Sequence, residues 1–137
     1  MLKSIITGFL LFLMITLVSC DQNKPSSEQN LNLHISKPDR QGYSIYKKID
    51  DYETVYMVLD ILQNVSWNTA KVSMSRQPDY KILTVNIDPT VSYESVTYAV
   101  WLSPNKDTLE VIIEGYSKYG KVSKVNTKKL LSVLGMP

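Results

Sequence analysis

The chain holds a single thiol, and its surroundings are the clearest chemical signal in the sequence. Cys20 follows Leu17, Val18 and Ser19 at the end of an apolar run that starts at Ile5, just behind Lys3. A thiolate is an intrinsically strong nucleophile, so a cysteine in this position can take up a carbon substituent on sulfur. Other routes to chemistry are sparse. The only histidine is His34, no serine sits in a Gly-x-Ser-x-Gly elbow, and no HExxH, paired cysteine, phosphate loop or GxGxxG is present. No catalytic, metal-binding or cofactor-binding residues are therefore assigned. Carboxylates are what remain: Asp79, Asp88, Glu94, Asp107, Glu110 and Glu114 offer material for an acid–base pair of the glycoside-cleaving kind. Asp79 and Asp107 fall in turn-like segments, where aspartate is favoured for its own backbone bonds.

Stepping outward from Cys20, Ile5 to Val18 supplies 14 residues broken only by Thr7, Gly8 and Thr16. A membrane span needs roughly 20 apolar residues, so the run reads as the hydrophobic part of a signal peptide. With Ser19-Cys20 behind it, the segment resembles the lipobox of bacterial lipoprotein signals. That resemblance implies transfer of diacylglycerol to the Cys20 sulfur and cleavage before Cys20. Two acyl chains would hold the protein stably at a membrane, at about 0.8 kcal/mol per buried CH₂. The alternative is a plain secretory signal with a chance cysteine.

Loss of residues 1–19 removes Lys3 and leaves 118 residues, with 14 Lys and Arg against 13 Asp and Glu. This near-balance is not the footprint of a nucleic-acid binder. An acylated Cys20 leaves no thiol for a disulfide, so packing must hold the fold. Charge is unevenly spread: no acid follows Glu114, whereas Lys118, Lys121, Lys124, Lys128 and Lys129 do. Such a surface can lean on anionic lipid or wall polymer; equally, it is a solvated helix face whose cations complement a helix C-terminus.

Residues 20–41 are rich in Ser, Asn, Gln, Lys and Pro and read as a lipid-anchored flexible tether, on the order of 25 Å in reach, with His34 as an exposed linker residue. Residues 42–137 then read as one globular domain. Tyr43 to Ile49 alternates as a strand. Asp50 or Asp51 caps a helix whose stripe is Val55, Val58, Leu59, Leu62 and Val65, ending at Trp67 and Asn68. Strands are predicted at Thr69–Met74, Tyr80–Ile87, Ser95–Leu102 and Thr108–Glu114, with a short one at Lys118–Val122. Ser123 caps a last helix that Gly135 stops. The order argues α+β: an antiparallel sheet of about five or six strands, with an N-terminal and a C-terminal helix packed on one face.

Two stretches carry a further likeness. Trp67 to Tyr80 (WNTAKVSMSRQPDY), and Tyr98 to Asp107 (YAVWLSPNKD) followed by Leu109-Glu110-Val111, resemble the two signatures of small lipoproteins of Bacillus-type bacteria called YhfM-like. Ser117-Lys118-Tyr119 and the closing helix are similar to the tail of that family. The resemblance spans about Tyr43 to Gly135. It implies a Gram-positive cell envelope and no assigned activity, and it carries no functional residues.

Both phenylalanines lie in the first 19 residues, so the aromatic rings beyond them are all Tyr or Trp. Such rings suit interfaces, because they pack while keeping a polar tip near water. Trp67, Tyr80, Tyr98 and Trp101 are the candidate binding platform; the competing reading is that Trp67 plugs a helix–sheet junction and Trp101 packs on the sheet. The sequence thus points to a non-enzymatic module on the outer face of the cell membrane, anchored through Cys20, with an envelope protein or wall polymer as partner, no nucleic acid and no cofactor. A carboxylate-dependent envelope hydrolase, or an inhibitor or chaperone-like protector working through a sheet edge, are the other readings. Cys20→Ala should release the protein from membranes on fractionation; unchanged membrane association would sink the anchor.

Overall fold

Leu31, Leu33 and Ile35 alternate with Asn32, His34 and Ser36, and in the computed structural model this alternation makes a strand. The structure describes residues 30–136. Cys20, the signal segment and residues 21–29 of the expected tether lie outside them. The described elements are β1 (Leu31–Asp39), β2 (Gly42–Ile49), α1 (Tyr52–Gln63), β3 (Asn68–Thr69), β4 (Tyr80–Asn86), β5 (Thr97–Leu102), β6 (Leu109–Ile113), β7 (Lys118–Val122) and α2 (Lys124–Val133). The fold is α+β, with seven antiparallel strands in the order β2-β1-β4-β5-β6-β7-β3.

The expected tether therefore ends about ten residues early. β1 lies inside the sheet, between β2 and β4. Leu33 and Ile35 are fully buried, and His34 is a half-buried strand residue opposite Leu83 and Lys48. Three alternating apolar side chains outweigh the polar composition around them, because each gains about 1.5–3 kcal/mol on burial. This adds the strand that takes the count past the expected five or six. The predicted strand at Thr69–Met74 shrinks to the two residues of β3.

Register separates the two faces of the sheet. Ile35, Ile82, Tyr98 and Ile113 stand opposite one another on one side, as do Tyr80, Val100, Val111 and Gly120. This side joins Val55, Val58, Leu59 and Leu62 of α1 and Leu130, Leu131 and Val133 of α2 in one core. Asp51 caps α1 by accepting from the Thr54 amide at 2.9 Å, and Ser123 caps α2 by accepting from Asn126. α2 ends in a Schellman motif: Gly135 has φ +77°, its amide donates to Ser132 O, and that of Met136 donates to Leu131 O. Gly120 matters for a different reason. A Cβ there would collide with Val65 and crowd Ser66 O and Trp67 Cε3 at 3.3 Å, so only glycine lets the segment after α1 close on the sheet. No helix among the described residues is long and apolar enough to cross a membrane.

Leu33→Ala should lower unfolding free energy by about 2–5 kcal/mol in denaturant melts; a change near zero would return this segment to a tether.

Candidate functional site

Strand β5 is apolar on both sides. Tyr98 and Val100 face the helices, whereas Ala99 and Trp101 are buried on the opposite side, which carries no helix among the described residues. A tryptophan there needs cover and an acceptor for its N–H. Residues 70–79 supply both. The chain leaves β3 at the bottom of β7, where the Ala70 amide donates to Ser117 O, and crosses the helix-free face to reach the top of β4. Trp101 Nε1 donates to Arg76 O at 2.9 Å, and Trp101 is only 6% exposed.

A four-way polar clasp fixes this strap. Arg76 Nη1 donates to Asp79 Oδ1 and Nη2 to Leu102 O, both at 2.7 Å. Asp79 Oδ2 accepts from the Leu102 amide at 2.7 Å, and the Asp79 amide donates to Val100 O. Burial pushes the Asp79 carboxyl up, but the Arg76 guanidinium and the Leu102 N–H outweigh it, and the net shift is downward. Tyr43 reaches over from β2 to donate its hydroxyl to Pro78 O at 2.6 Å, with the Lys81 ammonium 4.7 Å above its ring.

The strap leaves two depressions that meet at Met74, Ser75, Arg76 and Trp101. One, of about 500 Å³, is bounded by Val72, Ser73, Gln77, Pro78 and Ile112. The other, of about 250 Å³, runs along Leu102, Ser103, Thr108, Glu110 and Lys121. Glu110 accepts from Tyr119 OH at 2.8 Å and pairs with Lys121 at 3.3 Å. Hydrogen bonding to Glu110 is the largest cause that raises Lys121. The wall between the hollows therefore combines the side chains of Met74 and Trp101 with Ser75 and Arg76, and the rims add hydroxyls and a carboxylate–ammonium pair.

The four expected platform rings do not converge. Tyr98 and Trp101 are three residues apart on one strand, so the two-residue period sends them to opposite faces. Trp67 lies on the helix side, 6.4 Å from the Tyr98 ring, and donates to Leu62 O at 3.1 Å: it plugs the junction after α1. Tyr80 faces the same side, 6.1 Å from Tyr46. Partial burial, then Tyr80, pushes the Tyr46 phenol up to about 12. Trp101 alone belongs to the site. Asp79 enters as a clasp and not as the acid–base carboxylate the sequence offers, and the sequence signal for Met74 and Arg76 is no more than the polar stretch 70–79 that contains them.

The carboxylates are dispersed. Asp107 accepts from Lys124 and Ser103, and both contacts hold it below its ordinary 3.8. Asp88 is held down by the Thr90 hydroxyl and amide. Glu114 pairs with Lys81 at 2.7 Å, and Glu94 bonds Tyr116. Among the described residues no group of three or more His, Cys, Asp or Glu is placed to hold a metal ion. No protein-family model, curated protein or solved structure matches the chain.

Because Asp79 titrates lower in the folded chain than its unfolded 3.8, its clasp stabilises fully above that value and is lost as pH falls below it. In a Trp67→Phe background, Trp101 emission should shift red on acidification below about pH 4. In Asp79→Ala the red-shifted emission should appear already at neutral pH; a blue, pH-independent spectrum in that variant would remove the clasp from the account.

Proposed function

We propose that this chain is an envelope lipoprotein, held by acyl chains on Cys20 at the outer face of the cell membrane, whose domain binds a partner and does not transform it. The observation that carries the binding reading is the strap: ten residues clasped over Trp101, opening two hollows that share a wall of Met74, Ser75, Arg76 and Trp101. A preformed concave surface that sets apolar side chains among convergent polar groups is suited to recognition. The lipobox resemblance supports the address, and the YhfM-like signatures support the same compartment: the first of them contains the whole strap, and the second contains Trp101.

The competing readings draw less support. A general acid needs a raised pKa, whereas Asp79, Asp88 and Asp107 are all shifted downward. For sheet-edge pairing, β2 is a long outer strand, but it carries Lys47 and Lys48, and the ladder it shares with β1 is broken by a bulge at Ile35/Ser36. Lysines and bulges are the features that blunt an edge against addition of another strand.

A photo-crosslinking residue placed at exposed Ser75 should trap a discrete envelope adduct in cells, while the same residue at Lys48 should not. Turnover of a wall-derived substrate with no adduct at Ser75 would overturn the reading.

A further inference from the structure

The strap is pinned at its ends and open between them. The Ala70 amide donates to Ser117 O, and the Asp79 amide donates to Val100 O. Among the described residues, the main-chain amides of residues 71–77 have no hydrogen-bond partner, and neither do the carbonyls of residues 71–75. Arg76 O is taken by the Trp101 indole and Pro78 O by the Tyr43 hydroxyl. Residues 70–74 run without a turn or bend, and Val72 and Met74 alternate there with Lys71, Ser73 and Ser75. Alternation with a row of unpaired donors and acceptors is half of a strand ladder, a template for a second chain. The hollow of about 500 Å³ follows the same stretch: Val72 to Pro78 bound it on one side, and Trp101 and Ile112 also line it. That volume lies within the range of ligand sites.

We propose that the strap receives an extended peptide segment of a partner protein, paired with it main chain to main chain. This rests on the reading of the strap as the binding site and names the class of partner. A peptide repeats one donor and one acceptor per residue at the strap's own spacing, roughly 3.3 Å, which a sugar or lipid chain does not. Main-chain bonds supply the affinity in such pairing, and pockets for alternate side chains supply the choice of sequence. Here the inward side chains of the peptide enter the hollow, where Val72, Met74 and Ile112 favour apolar ones. Lys71 is exposed at one end of the row, with no ion-pair partner among the described residues, and suits a carboxylate on the peptide. The receiver is the strap and not the outer strand β2, whose lysines and bulge blunt it.

The test selects random decapeptides displayed on phage against the full chain and remakes the recovered sequence as a synthetic peptide. Two N-methylated versions are then compared, one methylated at the odd amides and one at the even. Every second residue of a strand faces a given neighbour. One version should therefore bind at least tenfold more weakly, while the other stays within threefold of the parent. Equal losses in both, or no loss in either, would overturn main-chain pairing. A photo-crosslinking residue at Ser75 should trap the peptide and one at Lys48 should not; the reverse would overturn the strap as receiver. Recovery of no peptide, or tighter binding of a chito-oligosaccharide than of any peptide, would overturn the occupant. An envelope adduct at Ser75 in cells with no peptide binding leaves the site standing and defeats only this inference; the absence of both defeats the site itself.

Discussion

Strand β5 is buried on both faces, and this one constraint organises the molecule. Its odd and even side chains both need cover, yet the two helices supply it on one side only. The other side is closed by residues 70–79, and the hydrogen bond from the Trp101 indole to Arg76 O ties that segment to the sheet. The clasp of Arg76 and Asp79 around Leu102 then fixes where the strap crosses, and the hollows follow from its path. A loop without regular structure thus acquires a defined shape from a strand that cannot be left bare.

The helix starts and the end of α2 are legible in the sequence because capping is local chemistry, whereas α1 stops at Gln63, short of the expected Trp67 and Asn68, and leaves Val65 on the segment that closes against Gly120. Asp51, Ser123 and Gly135 each satisfy or redirect backbone groups within four residues of themselves, so no knowledge of the tertiary fold is needed to find them. β1 was obscured by averaging: over residues 20–41 the composition is polar, and the three alternating apolar residues vanish unless the period is read position by position. One of its neighbours, β2, follows directly across the turn at 40–41, but the other, β4, is some fifty residues away in sequence, so nothing local announces that β1 lies inside the sheet.

The strap looks like a strand in the sequence for a different reason. Val72 and Met74 alternate with polar residues as a strand would, and alternation alone does not say whether a neighbouring edge continues alongside. Here β7 offers a partner to Asn68 and Thr69, and beyond that point the chain is drawn across the sheet by Trp101. The aromatic residues teach a related lesson. Their chemistry suggested one surface, but the two-residue period of β5 had already assigned Tyr98 and Trp101 to opposite sides, which leaves Trp101 as the only one of the four at the site.

Hydrogen exchange by NMR on the Trp101 indole N–H and the Leu102 amide bears most directly on the strap. Both protons are bonded only through residues 76 and 79, so the account predicts protection close to that of the core amides, with nuclear Overhauser contacts from the indole ring to Met74–Arg76. An indole proton that exchanges at the rate of free tryptophan, with no such contacts, would contradict it.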